Sequence, residues 1–497
     1  MSDGERVDKA LAARLDERDR AVPQLRELAD RMFSRAAGAP LIGGNRVRLL
    51  EDGRENYPAW LAAIRSAKEH VHFENYFIQE DEVGHEFAEA FSARAREGVR
   101  VRLLHDWMGV RGKTSRRFWK KLRASGVEVR VYNPPRLSSP LGWLSRDHRK
   151  TLVVDGAIGF VSGLCVGQMW VGDPGRNIPA WRDTGVEIRG PAVVEMARAF
   201  AGSWALAGPP LEESELSHEP PPEGDVSVRI VSSEPAVASM LRLDQLVAAI
   251  ARRRLWLTDA YYGGISSYVQ ALRAAVMGGV DVRLLVPRAT DLPLLQPFSR
   301  AGYRALLEAG VRVFEWNGAM LHAKTAVADG RWARVGSTNL NIASWLGNCE
   351  LDAIVEDTAF AARMEELYLR DLTNSTEVVL DDRRKLCAPG QPRRQRGAVR
   401  RGSAGSGAVA AGAMRIGNAV GAVLIDRRVL GRDEWRLMSG AGLTLCALAL
   451  VIALFPRVLA YPVAALGLWG GLALLWRATR RRRRQKPKSS LDNAPVA

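Results

Sequence analysis

Residues 146–167 read RDHRKTLVVDGAIGFVSGLCVG, and residues 321–341 repeat much of this stretch as LHAKTAVADGRWARVGSTNLN. Both contain the pattern His-x-Lys-x-x-x-x-Asp. The residues after Lys150 are β-branched or aliphatic, which predicts a strand, and successive side chains on a strand point to opposite faces. His148 and Lys150 are therefore expected on one side of the strand, with Arg149 on the other.

The second copy repeats this arrangement with His322 and Lys324. Each pattern ends in an Asp-Gly pair, Asp155-Gly156 in the first copy and Asp329-Gly330 in the second. Such pairs are typical of tight hairpin turns. The two aspartates are expected to hold these turns rather than to touch a substrate.

The strands that return from the turns end in small residues, Ser162-Gly163 in the first copy and Gly336-Ser337 in the second. A pseudo-twofold axis between the copies would bring two histidines, two lysines and exposed amides into one pocket. That set suits a phosphodiester, because cations and amide or hydroxyl donors stabilise the charge on its nonbridging oxygens. One neutral imidazole can attack phosphorus while the other, protonated, gives a proton to the leaving alkoxide. This chemistry requires no metal, and no carboxylate cluster in the sequence suggests one.

Each histidine needs a partner that orients its ring. Asp183, in WRDTGVEI, is the candidate in the first half, and Glu350, in NCELD, is the candidate in the second. A carboxylate would hold the tautomer and stabilise the imidazolium. The sequence leaves open which acid serves which histidine.

The chain around the motifs alternates strand-like and helical stretches, which predicts α/β units with a largely parallel sheet. The first unit is expected over residues 46–218 and the second over 219–385, with the linker EPPPEG at 219–224 between them. GVRVRLLHD in the first unit corresponds to GVDVRLLVP in the second. Two related units that form one catalytic body are the simplest explanation.

The composition allows several domains and favours an anionic partner. The chain has 497 residues, of which 47% are hydrophobic, with a net charge of +16 and a pI of about 10.1. Such a charge favours nucleic acid or an anionic membrane surface and does not choose between them. The four cysteines lack metal-ligand spacing, which argues against zinc and against a disulfide framework.

The two termini carry different signals. Residues 1–45 have mixed charge and no apolar core of a signal peptide, and helical spacing near their start predicts a helical segment. Residues 437–476 contain two long uncharged apolar runs separated by Pro456-Arg457, which predicts a transmembrane helical hairpin.

Basic segments flank this predicted hairpin. Residues 386–436 form a basic linker, in which 408–425 is interpreted as an interfacial helix, and residues 477–497 form a basic tail. The positive-inside rule places both ends of the hairpin in the cytoplasm. If 408–425 spans the membrane instead, the inferred side of the catalytic body inverts.

With two His-x-Lys-x-x-x-x-Asp motifs in one chain, the sequence resembles the phospholipase D superfamily. The first motif, followed by AWRDTGVEIRGPAV, is similar to the bacterial cardiolipin synthases, and the similarity runs from about Arg46 to Leu380. The resemblance implies a metal-independent phosphatidyl transfer between phosphatidylglycerol molecules, with release of glycerol and a phosphohistidine intermediate. It also implies a bacterial inner-membrane enzyme without cofactors, whose catalytic domain faces the cytoplasm.

The resemblance further implies roles for individual residues. His148 would be the nucleophile and His322 the acid, although the internal symmetry leaves the reverse open. Lys150 and Lys324 would bind phosphate. The other residues implied in the site are Asp183 and Glu350 as partners of the histidines, with Ser162, Gly163, Ser337 and Asn339 on the substrate side.

The first motif departs from the family pattern. Cys165 stands where the family has asparagine, and Ser162 stands where it has glycine. These changes suggest a weaker oxygen site in the first half. A packing role is expected for Cys165.

Other functions remain open from the sequence. The same intermediate could be transferred to water, as in a lipid hydrolase, and phosphatidylethanolamine could replace one phosphatidylglycerol. A nuclease is compatible with the charge, but the basic residues beside the apolar runs favour anionic lipid, so no nucleic acid is expected. A membrane scaffold with one lost half-site is disfavoured by the intact histidines and lysines.

Overall fold

The computed structural model describes residues 30–135, 144–216, 219–291, 296–380 and 386–387. It also describes four separate helical positions, Tyr461, Leu468, Trp469 and Leu472. The predicted basic linker, the interfacial helix at 408–425, the basic tail and nearly all of the predicted hairpin lie outside these residues. Within them, no helix combines the length and the apolar character that crossing a bilayer requires.

The first half of the chain supplies seven strands and four helices among the described residues from Ile42 onward, and residues 30–37 before them are also helical. The strands are β1 (Ile42–Glu51), β2 (His70–Asn75), β3 (Arg100–Asp106), β4 (Glu128–Tyr132), β5 (Lys150–Val154), β6 (Ile158–Ser162) and β7 (Thr184–Arg189). The helices are α1 (Asp52–Ser66), α2 (Glu82–Arg96), α3 (Arg116–Ala124) and α4 (Val193–Ala207). Because β1 begins at Ile42, the first unit starts before the expected residue 46.

The second half follows the same order of elements. Its strands are β8 (Val226–Ser233), β9 (Arg254–Thr258), β10 (Asp281–Pro287), β11 (Arg312–Trp316), β12 (Thr325–Ala328), β13 (Trp332–Gly336), β14 (Glu350–Glu356), β15 (Ser375–Leu380) and β16 (Leu386–Cys387). Its helices are α5 (Ser239–Ile250), α6 (Ser266–Met277), α7 (Gln296–Glu308), α8 (Ile342–Leu346) and α9 (Thr358–Thr373).

All these strands join one 16-stranded sheet in the order β16-β15-β11-β10-β9-β12-β13-β14-β8-β1-β7-β6-β5-β2-β3-β4. Apart from β15 and β16 at one end, the order is symmetric about the antiparallel contact between β1 and β8. Outward from that contact, β7-β6-β5-β2-β3-β4 in one half corresponds to β14-β13-β12-β9-β10-β11 in the other. The predicted pair of related α/β units therefore exists as two halves of one sheet.

The expectation of a largely parallel sheet is wrong. Parallel pairing joins β2, β3 and β4 in the first half and β9, β10 and β11 in the second, and the other strand pairs among the described residues are antiparallel. The reason is local, because the Asp-Gly turns reverse the chain directly after each motif strand. A tight hairpin can join antiparallel strands only, whereas parallel strands need a longer crossover.

The turn aspartates tie each hairpin to the start of a neighbouring strand. Asp155 and Asp329 both have φ of 51°, a left-handed conformation that aspartate tolerates better than most residues. Each carboxylate accepts three backbone N–H groups at 2.8–3.0 Å. The donors are Lys68, Glu69 and His70 for Asp155, and Arg252, Arg253 and Arg254 for Asp329.

Helices cover the sheet and bury its apolar faces. In the first half, Trp60 of α1 and Phe87 of α2 pack edge-to-face with ring centroids 6.2 Å apart, and both also contact Phe73 of β2. Aromatic pairs of this geometry contribute beyond the area that they bury. The rigid sheet that results holds the ends of its strands in a constant position.

Candidate active site

Each motif segment pairs with the backbone of the opposite half. The N–H of His148 donates to the carbonyl of Cys349 at 2.9 Å, and the N–H of His322 donates to the carbonyl of Arg182 at 2.7 Å. Cys349 and Arg182 stand directly before Glu350 and Asp183 in the sequence. Each half therefore makes the same backbone hydrogen bond to the other half. This bond places the acid of one half next to the histidine of the other.

The acids are consequently crossed. Nδ1 of His148 lies 2.9 Å from Oε2 of Glu350, and Nδ1 of His322 lies 2.9 Å from Oδ2 of Asp183. Asp183 and Glu350 occupy equivalent positions at the start of β7 and β14. A carboxylate at Nδ1 holds a proton on that nitrogen, so Nε2 carries the lone pair of the neutral ring.

The two lysines are buried beside the imidazoles. Nζ of Lys150 donates to the carbonyl of His148 at 2.5 Å, and Nζ of Lys324 donates to the carbonyl of His322. Each Nζ also lies near a tyrosine ring, 5.5 Å from the centroid of Tyr76 for Lys150 and 5.6 Å from that of Tyr261 for Lys324. Burial is the main cause that lowers the pKa of Lys324, and repulsion from Lys150 lowers it further. Attraction to nearby carboxylates, above all Asp183, opposes this shift.

Burial and the lysines favour neutral imidazoles in the site as it stands. Burial is the main cause that lowers the pKa of both His148 and His322, and both lysines add to it, whereas Glu350 and Asp183 oppose the shift. Burial alone would raise the pKa of the two carboxyls, but their hydrogen-bonded histidines and the lysines lower it. The acids are therefore ionised, and an anion placed between the lysines would favour protonation of the rings.

Aromatic side chains distinguish the two histidines. The His322 ring lies 5.6 Å from Trp170, 5.9 Å from Trp181 and 5.8 Å from Tyr261, centroid to centroid. Nε1 of Trp170 donates to Oδ2 of Asp183 at 2.9 Å, the same oxygen that faces His322. On the other side, Nδ2 of Asn348 donates to Oε1 of Glu350 at 3.1 Å.

Small residues after the motif strands let the acids approach. A Cβ on Gly163 would lie 2.2 Å from Oδ1 of Asp183, so glycine is required there. Ser337 lies beside Glu350, where its Oγ accepts the N–H of Leu351 at 3.0 Å. These two residues join the cluster that the sequence predicted.

The matched positions Cys165 and Asn339 are both buried but differ in chemistry. Nδ2 of Asn339 donates to Oγ of Ser344 at 3.5 Å, and its buried Oδ1 has no hydrogen-bond partner among the residues that the structure describes. Burial raises the pKa of the Cys165 thiol, and its backbone carbonyl accepts the hydroxyl of Tyr57 at 2.6 Å. These contacts support the packing role expected for Cys165.

Three of the residues named from the sequence, Ser162, Asp155 and Asp329, have other roles than contact with the histidines or their acids. Oγ of Ser162 accepts the N–H of Leu164 at 3.1 Å and so completes the turn after β6. Asp155 and Asp329 lie at the far ends of β5 and β12, where each holds a turn. This placement matches the turn role expected for both aspartates, because strands of five and four residues separate them from the histidines at the other ends of these strands.

The sequence did not indicate the functional importance of Trp170 or of the contacts of Arg149. Arg149 points away from His148, as strand alternation predicts, and its guanidinium donates to the carbonyl of Glu350 at 3.2 Å and to Ser232 Oγ at 2.7 Å. It thus binds the first motif to the second half. Neither residue has a recognisable pattern around it. The Arg149 contacts join positions far apart in the chain, and the contact of Trp170 with Asp183 depends on how the loop between β6 and β7 folds.

Comparison with known proteins agrees with this geometry. The family described as "Cardiolipin synthase, PLD-like domain" matches residues 60–167 and 246–372, which contain both motifs. The chain is 32% identical over 395 residues to cardiolipin synthase A of Pseudomonas fluorescens, covering 76% of this chain and 78% of that protein. It is 30% identical over 360 residues to a cardiolipin synthase of Alkalihalophilus pseudofirmus, covering 71% of each.

The fold is also found among solved structures. The phosphatidylserine synthase of Haemophilus influenzae matches with a TM-score of 0.55 and 14% identity, over 70% of this chain and 91% of that one. This similarity concerns the fold alone. The identity to the curated relatives and the match to the family model show that the chain belongs to the cardiolipin synthase family of the phospholipase D superfamily.

Proposed function

We propose that this protein is a cardiolipin synthase that transfers a phosphatidyl group from one phosphatidylglycerol to another and releases glycerol. The observation that carries the proposal is the crossed pairing of His148 with Glu350 and of His322 with Asp183 around two buried lysines. Two imidazoles with separate carboxylates can act in opposite protonation states in one pocket. The names of the curated relatives point to the same reaction.

In the first step, Nε2 of His148 attacks the phosphorus of the donor lipid. A phosphorus–nitrogen bond forms, the bond from phosphorus to the glycerol headgroup breaks, and glycerol leaves with a proton from Nε2 of His322. Lys150 and Lys324 stabilise the charge on the nonbridging oxygens as the transition state forms. The product of this step is a phosphatidyl-histidine.

In the second step, a glycerol hydroxyl of another phosphatidylglycerol attacks the phosphatidyl-histidine. His322, now neutral, takes the proton of that hydroxyl, and His148 leaves as the neutral ring. The site returns to its starting protonation. The assignment of His148 as nucleophile is supported by its side chain, which is 14% exposed, whereas that of His322 is 7% exposed.

The remaining parts of the proposal concern location and the smaller contacts. Gly163, Ser337 and Asn339 are proposed to border the phosphate, with Asp183 and Glu350 acting on the rings. The segment 437–476 is proposed to anchor the protein in a bacterial inner membrane as a helical hairpin, with the catalytic body in the cytoplasm. The first-half position of Cys165 is proposed to bind oxygen more weakly than Asn339.

The deciding experiment supplies the purified full chain with phosphatidylglycerol that carries deuterium in its headgroup. Mass spectrometry should detect cardiolipin and free deuterated glycerol in equal amounts, and neither should form with His148→Ala or His322→Ala. A phosphatidyl-enzyme should be trapped when the unaltered protein is acid-quenched during turnover, and it should be absent in His148→Ala. Phosphatidic acid without cardiolipin would mean that water is the acceptor and would contradict the proposed transfer.

A further inference from the structure

We infer that the edge of the sheet around the site is a docking surface for an anionic lipid bilayer, which it contacts through aliphatic side chains on two symmetry-related loops. The first loop, residues 163–183, joins β6 to β7, and the second, residues 337–349, joins β13 to β14. The inference rests on the proposed function and deepens it, since it states how the site meets its lipid substrates.

Both loops lie at the edge of the sheet that carries the site. The first ends at Asp183 and the second leads directly to Glu350, the two acids that contact the histidines. The pseudo-twofold relation of the halves makes the loops equivalent. Any aliphatic side chains that they expose therefore flank the site from both sides.

The first loop exposes Val171 and Ile178, and Ile178 is 52% exposed. Its shape is held by a two-way backbone contact between Asp173 and Ile178, with N–O distances of 2.8 and 2.9 Å. A further hydrogen bond joins the N–H of Trp181 to the carbonyl of Met169 at 2.8 Å. The exposed side chains are thus displayed by an ordered loop.

The second loop exposes Ile342 and Leu346 of α8, and Ile342 is 40% exposed. The two residues are four positions apart and so lie on the same face of the helix. Ser344 and Trp345 are the buried residues of this helix. The loop is also tied to the site, because Nδ2 of Asn341 donates to the carbonyl of Tyr261 at 2.8 Å.

Single exposed aliphatic residues are ordinary on protein surfaces, and Met277 at the opposite edge is such a case with 78% exposure. A pair on each of two equivalent loops beside a site is not ordinary. Aliphatic side chains next to a charged site suit the boundary between headgroups and acyl chains. A lipid phosphate lies at that boundary, so docking there brings it to the histidines without removal of the lipid from the bilayer.

The anionic character of the occupant follows from the proposed substrate, because phosphatidylglycerol is an anionic lipid. The exposed charges at this edge of the described residues are of both signs. Arg111 and Arg176 are exposed in loops at this edge, which also carries the exposed acids Glu80 and Asp291. Asp291 accepts the hydroxyl of Tyr261 at 2.7 Å, and Glu80 accepts the N–H of Ser115 at 2.7 Å, so both have partners within the protein.

The test measures the depth of individual positions in the full chain. Cys387 and Cys446 are replaced by serine, and an environment-sensitive fluorophore is attached at Ile178→Cys, Ile342→Cys or, as the matched control, Met277→Cys. The proteins are reconstituted in phosphatidylglycerol vesicles that contain lipids spin-labelled on the acyl chain. We expect quenching at 178 and 342 that is at least about 3-fold stronger than at 277, as the burial of aliphatic side chains at the interface requires.

A second measurement compares vesicles with a soluble substrate. Ile178→Asp and Ile342→Asp should lower the ratio of turnover on vesicles to turnover on monomeric short-chain phosphatidylglycerol by about 10-fold, because a charge in the interface opposes insertion. Met277→Asp should leave the ratio unchanged. Equal quenching at all three positions, or shielding of 178 and 342 by a second copy of the chain, overturns the inference. Strong quenching without any cardiolipin formation would support docking and contradict the proposed function instead.

Discussion

Asp183 lies 2.9 Å from His322, although 139 positions separate them and they belong to different halves of the chain. The mirror contact joins Glu350 to His148 across 202 positions. Neither half therefore contains a complete histidine–carboxylate pair of its own. The repeat in the sequence encodes one site that forms only when both halves share one sheet.

The first prediction concerns these carboxylates. Asp183→Asn and Glu350→Gln should each lower kcat by about 100-fold or more, because an amide favours the wrong tautomer of its histidine. Turnover of phosphatidylglycerol in vesicles measures the effect. Glu377→Gln, which alters an exposed ion pair with Arg312, is the control. Activity that remains normal in either acid variant would contradict the crossed arrangement.

The second prediction concerns Trp170, which donates to Asp183. Trp170→Phe keeps an aromatic ring but removes the N–H, so the charge on Asp183 is less stabilised and holds the imidazolium proton of His322 more strongly. The pKa of His322 should rise, and kcat should fall by roughly 10- to 100-fold, the effect of one hydrogen bond to a charged group.

The pH–rate profile separates this effect from a general loss of structure. Its limb for His322 should move to higher pH in Trp170→Phe. Trp345→Phe is the matched control, since Trp345 donates to the buried carboxylate of Asp244 at 3.2 Å, away from the histidines. A shift of the limb in both variants, or in neither, would contradict the positioning role of Trp170.

The third prediction is that the turn aspartates stabilise the fold and take no part in catalysis. Asp155→Asn and Asp329→Asn should lower the free energy of unfolding by about 1–3 kcal/mol, because three backbone N–H groups lose a charged acceptor. Thermal melts should show this as a lower Tm, while kcat at 25 °C changes little. Asp225→Asn, at an exposed position, is the control. A large loss of kcat with an unchanged Tm would mean that these aspartates act in catalysis.

The fourth prediction concerns protons taken up when a phosphodiester binds. Burial lowers the pKa of His148 and His322 in the empty site, so both rings are neutral near pH 7. The negative charge of glycerophosphoglycerol, a water-soluble phosphodiester, should raise the pKa of both rings. Its binding should therefore take up protons, and its affinity should fall as pH rises from 6 to 8.

Calorimetry in buffers of different ionisation enthalpy measures this proton uptake directly. His148→Ala should reduce the uptake, and Lys150→Met should weaken binding at every pH. Binding without proton uptake, or an affinity that rises with pH, would show that the anion does not sit between the imidazoles.

Much of the site could be predicted from the sequence, because the patterns that indicate it span only a few residues. A strand places residues two apart on one side, so His148 and Lys150 had to face together, and Asp-Gly had to mark a turn. The repeat 174 positions later, at His322, indicated two equivalent units. The alternation of strands and helices overstated the parallel character of the sheet, because each Asp-Gly hairpin adds antiparallel strands to the parallel ones.

The sequence alone determined the residue types of the site, the faces on which they lie and the existence of two halves. Only the tertiary structure decided that Glu350 serves His148 and Asp183 serves His322. It also placed Trp170 on Asp183 and Arg149 across the boundary between the halves. The physical reason is that side-chain alternation and turn conformation act over a few residues. By contrast, the histidine that each carboxylate contacts depends on how the two halves pair, and they pair through the antiparallel contact of β1 with β8.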